Sequence, residues 1–334
     1  MSAGIAAIAY HLPDAVLDNA ALEVVDPRFH AAKVKAKTGI DRRRIAAPGE
    51  CASDLAVAAA NKLFSANGIS ADSIDYVIFC TQAPDYFLPT TACLIHQRLS
   101  LRRDAGAIDV NLGCSGFIYG LGLAKGLVAS DQASRVLLLT ADTYSKFMAA
   151  SDMGVRSIFG DGAAATLISA GEGRGLGPFV YGSDGSGATN LIVPTGGLRN
   201  PGGDEAFMSA SGEKRRGRPL AMNGPEVFNF TIAAVPDLVR ATLDRAGVGV
   251  EDIDLWVFHQ ANATMLQALR RKLDLPPERF WIDLAEAGNT VSSTIPIALA
   301  QAQAAGRLTS GTRIMLVGFG VGYSWGACVA EWGA

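Results

Sequence analysis

Twelve residues from Gly68 to Phe79 return in altered form from Gly247 to Phe258, and this recurrence narrows the fold more than any other feature of the chain. The two segments share four identities in twelve aligned positions: a glycine, an isoleucine, an aspartate and a phenylalanine. In each, a helical pattern stops at the glycine, an acidic turn follows, and an apolar strand emerges. The stretches upstream agree in kind, since residues 54–67 and 236–246 are both rich in Ala, Leu and Val. Either two αβ units resemble each other by chance, or one α/β half has been duplicated. A unit this long points to a duplicated half rather than a solenoid.

Further short apolar runs alternate with helical patterns. Residues 135–140, 163–168, 313–318 and 327–330 read as buried strands, the last two joined by a glycine-rich loop. Alternation of this kind predicts a mainly parallel sheet with helical layers. The composition agrees, because 49% hydrophobic and only 18% charged residues suit strands covered on both faces. The glycine-rich stretch 171–177 reads as a connector, which predicts an N-terminal half at 1–172 and a C-terminal half at 173–334. Residues 195–219, polar and basic at Lys214, Arg215 and Arg216, read as a surface excursion.

Several function classes are disfavoured at once. A net charge of −3 gives no reason to expect nucleic acid as a partner. No apolar span is long enough to cross a bilayer, and the N-terminus lacks a basic-then-apolar signal pattern, so no membrane association and a cytoplasmic location are expected. The cysteines are Cys51, Cys80, Cys93, Cys114 and Cys328, an odd number without CxxC or zinc-ribbon spacing, and they read as free thiols. Four of them sit among apolar or small residues, where cysteine serves as a small hydrophobe.

Cys114 is the exception. It follows the apolar run 107–110 and precedes a helical pattern over 115–127, so it would cap that helix, whose free N–H groups and dipole favour a thiolate. An inert cysteine at a small-residue helix start fits the same pattern. His259 stands at the mouth of the apolar strand 255–258, whereas His11, His30 and His96 read as ordinary core or surface histidines. Asn289 opens onto the helical stretch 295–300, and alone it would be a simple turn residue. Together a thiol, an imidazole and a neutral amide point to acyl transfer through a thioester.

The segments Gly113-Cys114-Ser115-Gly116-Phe117, His259-Gln260-Ala261-Asn262, Gly288-Asn289-Thr290 and the glycine-rich run 318–326 resemble those of the ketoacyl-acyl carrier protein synthase III family. Lys37-Thr38-Gly39-Ile40, the run 159–163 and the run 223–228 extend the likeness in the family's order over nearly the whole chain. The resemblance implies a thiolase-like α/β fold: two duplicated halves, each a mixed five-stranded sheet, in a five-layered α-β-α-β-α subunit that forms a homodimer. It implies that Cys114 carries an acyl group taken from an acyl-CoA or acyl-acyl carrier protein. His259 and Asn289 would then hold the thioester carbonyl of malonyl-acyl carrier protein, or a similar extender, through decarboxylation. Backbone N–H groups at Cys114 and Gly320 would form the oxyanion hole, and Gly224, Asn262 and Phe319 would line the substrate site. Phe87 would cross the dimer interface into the partner's acyl pocket. Arg270, Arg271 and Lys272 would receive the acidic carrier protein. The chemistry requires no metal or other cofactor.

Near relatives of the fold differ where it counts. Chain-elongating synthases have a second histidine where this chain has Asn289, and thiolases carry a second catalytic cysteine where it has the run 318–322. Where housekeeping members place a tryptophan and an arginine around the CoA adenine, this chain has Lys33 and Met153, which cannot form that sandwich. A specialised member that takes a longer or unusual acyl group, with a carrier protein among its donors, is therefore expected. Two alternatives remain at this stage: acyl transfer to an alcohol or amine without decarboxylation, and a non-catalytic subunit of a synthase heterodimer.

Overall fold

Apolar runs buried on both faces become the strands of two five-stranded sheets, seen in a computed structural model that describes residues 3–171, 175–202, 207–208, 214–215 and 219–333. In chain order the strands begin with β1 (Ala3–His11), then a short outlying pair, β2 (Ala15–Asp18) and β3 (Arg42–Ile45). There follow β4 (Tyr76–Cys80), β5 (Gly106–Val110), β6 (Arg135–Asp142), β7 (Gly162–Ala170) and β8 (Leu176–Ser183). Two-residue strands β9 (Leu191–Ile192) and β12 (Ala221–Met222) pair with each other, as do β10 (Phe207–Met208) and β11 (Lys214–Arg215). The remainder are β13 (Leu255–Phe258), β14 (Phe280–Trp281), β15 (Arg313–Gly320) and β16 (Ser324–Glu331). Residues 203–206, 209–213 and 216–218 of the expected excursion, Arg216 among them, lie outside the described residues, as does the middle of the 171–177 connector.

The helices are α1 (Asn19–Val25), α2 (Ala31–Thr38), α3 (Ala52–Asn67), α4 (Thr91–Arg98), α5 (Gly116–Ala129), α6 (Met153–Arg156), α7 (Gly224–Ala246), α8 (Ala263–Lys272) and α9 (Thr294–Ala304). Side-chain alternation along the strands sorts them into layers. In β4, Val77 and Phe79 point outward to Leu55, Leu63 and Ile95 of α3 and α4, while Ile78 points inward to the central cluster. In β13, Trp256 and Phe258 meet Leu238 and Leu266 of α7 and α8, while Leu255 and Val257 join the centre. The centre holds Phe117, Ile118 and Leu121 of α5 with Ile295 and Leu299 of α9. The result is the five-layered α-β-α-β-α order. Each such side chain contributes about 1.5–3 kcal/mol by leaving water.

Each sheet is mixed rather than mainly parallel. The first runs β1-β7-β6-β4-β5, with β6, β4 and β5 parallel and both pairings of β7 antiparallel. The second runs β8-β16-β15-β13-β14, with β13 parallel to β14 and β15, and both pairings of β16 antiparallel. The physical reason is visible between β15 and β16. Residues 321–323 alone join them, and so short a connection permits only an antiparallel return. A second correction concerns α7, which begins at Gly224 and carries Pro236 in its interior instead of starting there. Among the described residues no helix is long and apolar enough to cross a membrane.

Candidate active site

The two sheets bring three loops to one place between the central helices. Cys114 leaves β5 and lies just ahead of α5, whose N-cap is Ser115 rather than Cys114 itself. The Ser115 hydroxyl does not cap the helix; it meets the Ser324 hydroxyl at 2.7 Å and ties the helix start to β16. Gly320, ending β15, lets the two turns touch. A Cβ there would lie 2.6 Å from the Cys114 Cβ and 2.9 Å from its sulfur.

Cys114 is buried, and its thiol is pushed up to about 12 by loss of solvent and then by the nearby Asp142. Backbone N–H groups of Val321 and of Cys114 itself pull the other way. The thiolate expected from the helix N-terminus is therefore not the resting state. Burial is the largest influence, and it favours the thiol at neutral pH.

His259 emerges from β13 with its backbone N–H on the Val317 carbonyl at 2.8 Å. Its ring stands edge-on to Phe319, centroids 5.5 Å apart at 87°. Nδ1 lies 2.6 Å from the Thr294 hydroxyl, and Nε2 lies 3.4 Å from Nδ2 of Asn289. Burial lowers the imidazole to about 3, so it is neutral throughout the physiological range. Asn289 is fixed by its backbone, which donates to the Ile158 carbonyl at 2.9 Å and accepts from Gly160 N–H at 3.0 Å. Its side-chain Oδ1 accepts from Val291 N–H at 2.9 Å, which turns the NH2 group toward the imidazole. Two positive-φ positions frame this turn. Gly288 has φ +68°, where a Cβ would come within 2.7 Å of the Ile158 carbonyl oxygen, and the buried Val291 holds φ +56°.

Cys114, His259 and Asn289 line one cavity of about 90 Å³, together with Phe319, Gly320, Gly224 and Asn262. Apolar side chains of Phe159, Leu191, Met222 and Val227 form much of its wall. It shares Ile158, Met222, Gly224, Asn262 and Met265 with an outer groove whose lining includes Lys37, Met153 and Phe228, giving a route to the surface. The Asn262 side chain is occupied as the N-cap of α8, accepting from Met265 N–H at 2.9 Å. Among the described residues no cluster of three or more His, Cys, Asp or Glu could hold a metal.

Other expected residues lie elsewhere. Phe87 is 76% exposed between the exposed Tyr86 and Leu88, and it is not part of this chain's cavity. Lys33 is exposed on α2, whose residues Val34, Lys37 and Thr38 line the outer groove with Met153. Of the three basic residues ending α8, two have structural work. Arg270 bonds Gln267 Oε1 and the Leu275 carbonyl, closing the helix end. Lys272 donates at 2.9 Å to the Ile232 carbonyl, the acceptor that Pro236 leaves unpaired inside α7. Arg271 is exposed, and among the described residues it makes no such bond.

Sequence reasoning missed Thr294, Val321 and Asp142. Asp142 ends β6 fully buried, accepting from Gln82 N–H at 2.8 Å, Ser292 N–H at 3.2 Å and the Ser292 hydroxyl at 2.5 Å. The same Gln82 accepts from the Tyr144 hydroxyl at 2.6 Å. An acid closing a largely apolar strand was the available signal.

Comparison with known proteins agrees on one group. The family model for 3-oxoacyl-(acyl-carrier-protein) synthase III matches residues 108–185, and the model for the C-terminal part of the same proteins matches residues 243–332. The Streptomyces coelicolor protein named beta-ketoacyl-(acyl-carrier-protein) synthase III 3 is 40% identical over 304 residues, covering 90% of this chain and 89% of its own. A crystal structure of a 3-oxoacyl-(acyl-carrier-protein) synthase III superposes with a TM-score of 0.96 at 52% identity, covering 99% of this chain and 100% of that one. The priming β-ketosynthase of the R1128 polyketide pathway gives 0.87 at 26% identity, covering 99% and 96%.

Proposed function

This chain belongs to the 3-oxoacyl-(acyl-carrier-protein) synthase III family, and from that membership we propose how its cavity makes a β-ketoacyl thioester by decarboxylative condensation. The observation that carries the reading is the convergence of one buried thiol and two nitrogen donors on a single apolar cavity. The Cys114 sulfur attacks the carbonyl of an acyl thioester, the new S–acyl bond forms, and the donor's thiol departs with the proton Cys114 gives up. Because that thiol is held up at about 12, proton loss accompanies attack instead of preceding it. The oxyanion of this step falls to the backbone N–H of Cys114 and to the turn at Gly320 and Val321.

A malonyl thioester then enters with its carbonyl oxygen toward His259 and Asn289. Breaking the bond to the carboxylate releases CO2 and leaves the electron pair as an enolate, whose charge two prepositioned donors stabilise more than the neutral ester. The enolate carbon attacks the acyl-cysteine carbonyl. The β-ketoacyl thioester leaves, and the Cys114 thiolate regains a proton from water.

The finer parts of this reading rest on separate observations. Lys33 and Met153 offer no flat stacking pair for adenine, so the acyl donor is a carrier protein rather than CoA, and the acyl group is longer or less usual than acetyl. Arg271 is the docking contact of α8 for that acidic carrier, supported by its exposed position in the last turn of that helix. The exposed 86–88 loop and the open edge of β5 support a homodimer in which Phe87 reaches the partner's cavity. The chain divides at 1–172 and 173–334, one half supplying Cys114 and the other His259 and Asn289, and it works in the cytoplasm.

Intact-protein mass spectrometry with a panel of CoA and carrier-bound acyl donors tests the donor assignment. A mass increase on Cys114 that is faster from carrier-bound, longer acyl groups is expected. Equally fast labelling by acetyl-CoA would overturn it.

A further inference from the structure

We propose that Thr294 is a positioning residue that holds the His259 imidazole as its Nε2–H tautomer, making the ring a donor to the thioester oxygen. The proposal rests on the condensation reading given above. A hydroxyl has one proton, and that of Thr294 has two acceptors in reach: Nδ1 of His259 at 2.6 Å and the Val291 carbonyl at 3.2 Å. The markedly shorter contact, the one to the ring nitrogen, takes the proton. Nδ1 is then an acceptor, and the ring's own proton sits on Nε2.

Asn289 completes the pattern. With its Oδ1 engaged by Val291 N–H, the amide turns its NH2 group to the same side as Nε2. Two nitrogens 3.4 Å apart, both carrying hydrogens, are too far apart for a good bond to each other and well spaced to share one oxygen. The opposite tautomer would set a bare Nε2 lone pair against the developing enolate and leave Asn289 as the lone donor. The arrangement therefore needs a proton donor behind the ring. Thr294, at the first residue of α9, is buried against it and is the one group that the described residues bring to Nδ1.

The test compares Thr294→Val, which keeps shape and loses the hydroxyl, with Thr294→Ser, which keeps the hydroxyl. In Thr294→Val, acyl loading of Cys114 should stay within about twofold, while CO2 release and condensation fall about 10- to 100-fold at unchanged KM for the malonyl thioester. Thr294→Ser should restore most of the rate. Nitrogen-15 NMR of wild-type histidines, with His259 assigned by its absence in His259→Gln, should show the Nε2–H form, and this readout survives even if Thr294→Val fails to fold. An Nδ1–H signal in wild type, or condensation by folded Thr294→Val at the wild-type rate, would overturn the proposal. Failure of wild type to release CO2 from any malonyl thioester would instead overturn the functional reading beneath it.

Discussion

Strand β4 in the first sheet and β13 in the second occupy the same place, next to the edge strand, yet one ends in Cys80 and the other runs into His259. The correspondence continues around both sheets. The edge strand β5 leads to Cys114 and α5, as β14 leads to Asn289 and α9, and the middle strands β6 and β15 end in Asp142 and Gly320. Equivalent positions thus carry unlike chemistry, and access to the cavity decides which of them react. Cys80 is as buried as Cys114, but its sulfur donates to the Leu112 carbonyl and presses on Gly116 outside the cavity lining. Burial, and secondarily Asp142, pushes its thiol well above the ordinary range, with nothing in reach for it to attack.

The sharpest break between the two cysteines is a pair of substitutions. Cys114→Ala should abolish acyl loading and lower condensation by at least about 10⁴-fold, whereas Cys80→Ala should load and turn over normally while losing about 1–2 kcal/mol of stability to the small cavity left behind. Rate assays and urea midpoints read both. The middle strands give the next contrast. Asp142→Asn turns an NH2 group toward donors that had a carboxylate to meet, and should cost about 1–3 kcal/mol. Because Asp142 spans Gln82 and Ser292, it should also slow both half-reactions together, a pattern that separate acyl-loading and CO2-release rates would detect.

Acid sharpens the comparison further. His259 has its pKa lowered by burial to about 3, so between pH 6.5 and about 3 the unfolded chain binds a proton that the folded one refuses. Stability from this group is complete above pH 6.5 and declines as pH falls, by about 2 kcal/mol on reaching pH 5. Asp142 works the opposite way, because its pKa is raised to about 7 and the folded chain holds its proton more tightly across roughly pH 4–7. The His259 contribution is therefore read by difference, with His259→Gln showing the smaller loss on acidification. Cys80→Ala should leave that slope unchanged. The smallest effect is expected at the surface, where Arg271→Glu should raise KM for carrier-bound substrates a few-fold and Lys272→Glu should also loosen α7 against α8.

The parts of this architecture that sequence made legible were those carried by local pattern. The apolar runs that lead to Cys114 and His259, the helical stretch that follows Asn289 and the repeated αβ unit around residues 68 and 247 all stand out in one dimension. Thr294 and Asp142 could not be read this way. Thr294 lies in a run of hydroxyl residues typical of any turn, and it gains meaning only from His259, 35 positions away. Asp142 meets Ser292 across 150 positions. The antiparallel half of each sheet was hidden because a buried apolar run reads the same in either direction. Pro236 reads as a helix start, and only the Lys272 side chain on a neighbouring helix explains how α7 accommodates it.

The decisive measurement is a chase on the loaded enzyme: acylate Cys114, add a malonyl thioester, and follow the protein's mass and CO2 together. Wild type should lose the acyl mass with one CO2 released per acyl group, while His259→Ala and Asn289→Ala should keep the acyl group and release CO2 about 10²- to 10³-fold more slowly. Acyl groups found on another cysteine, or discharged from the two variants as fast as from wild type, would contradict the account.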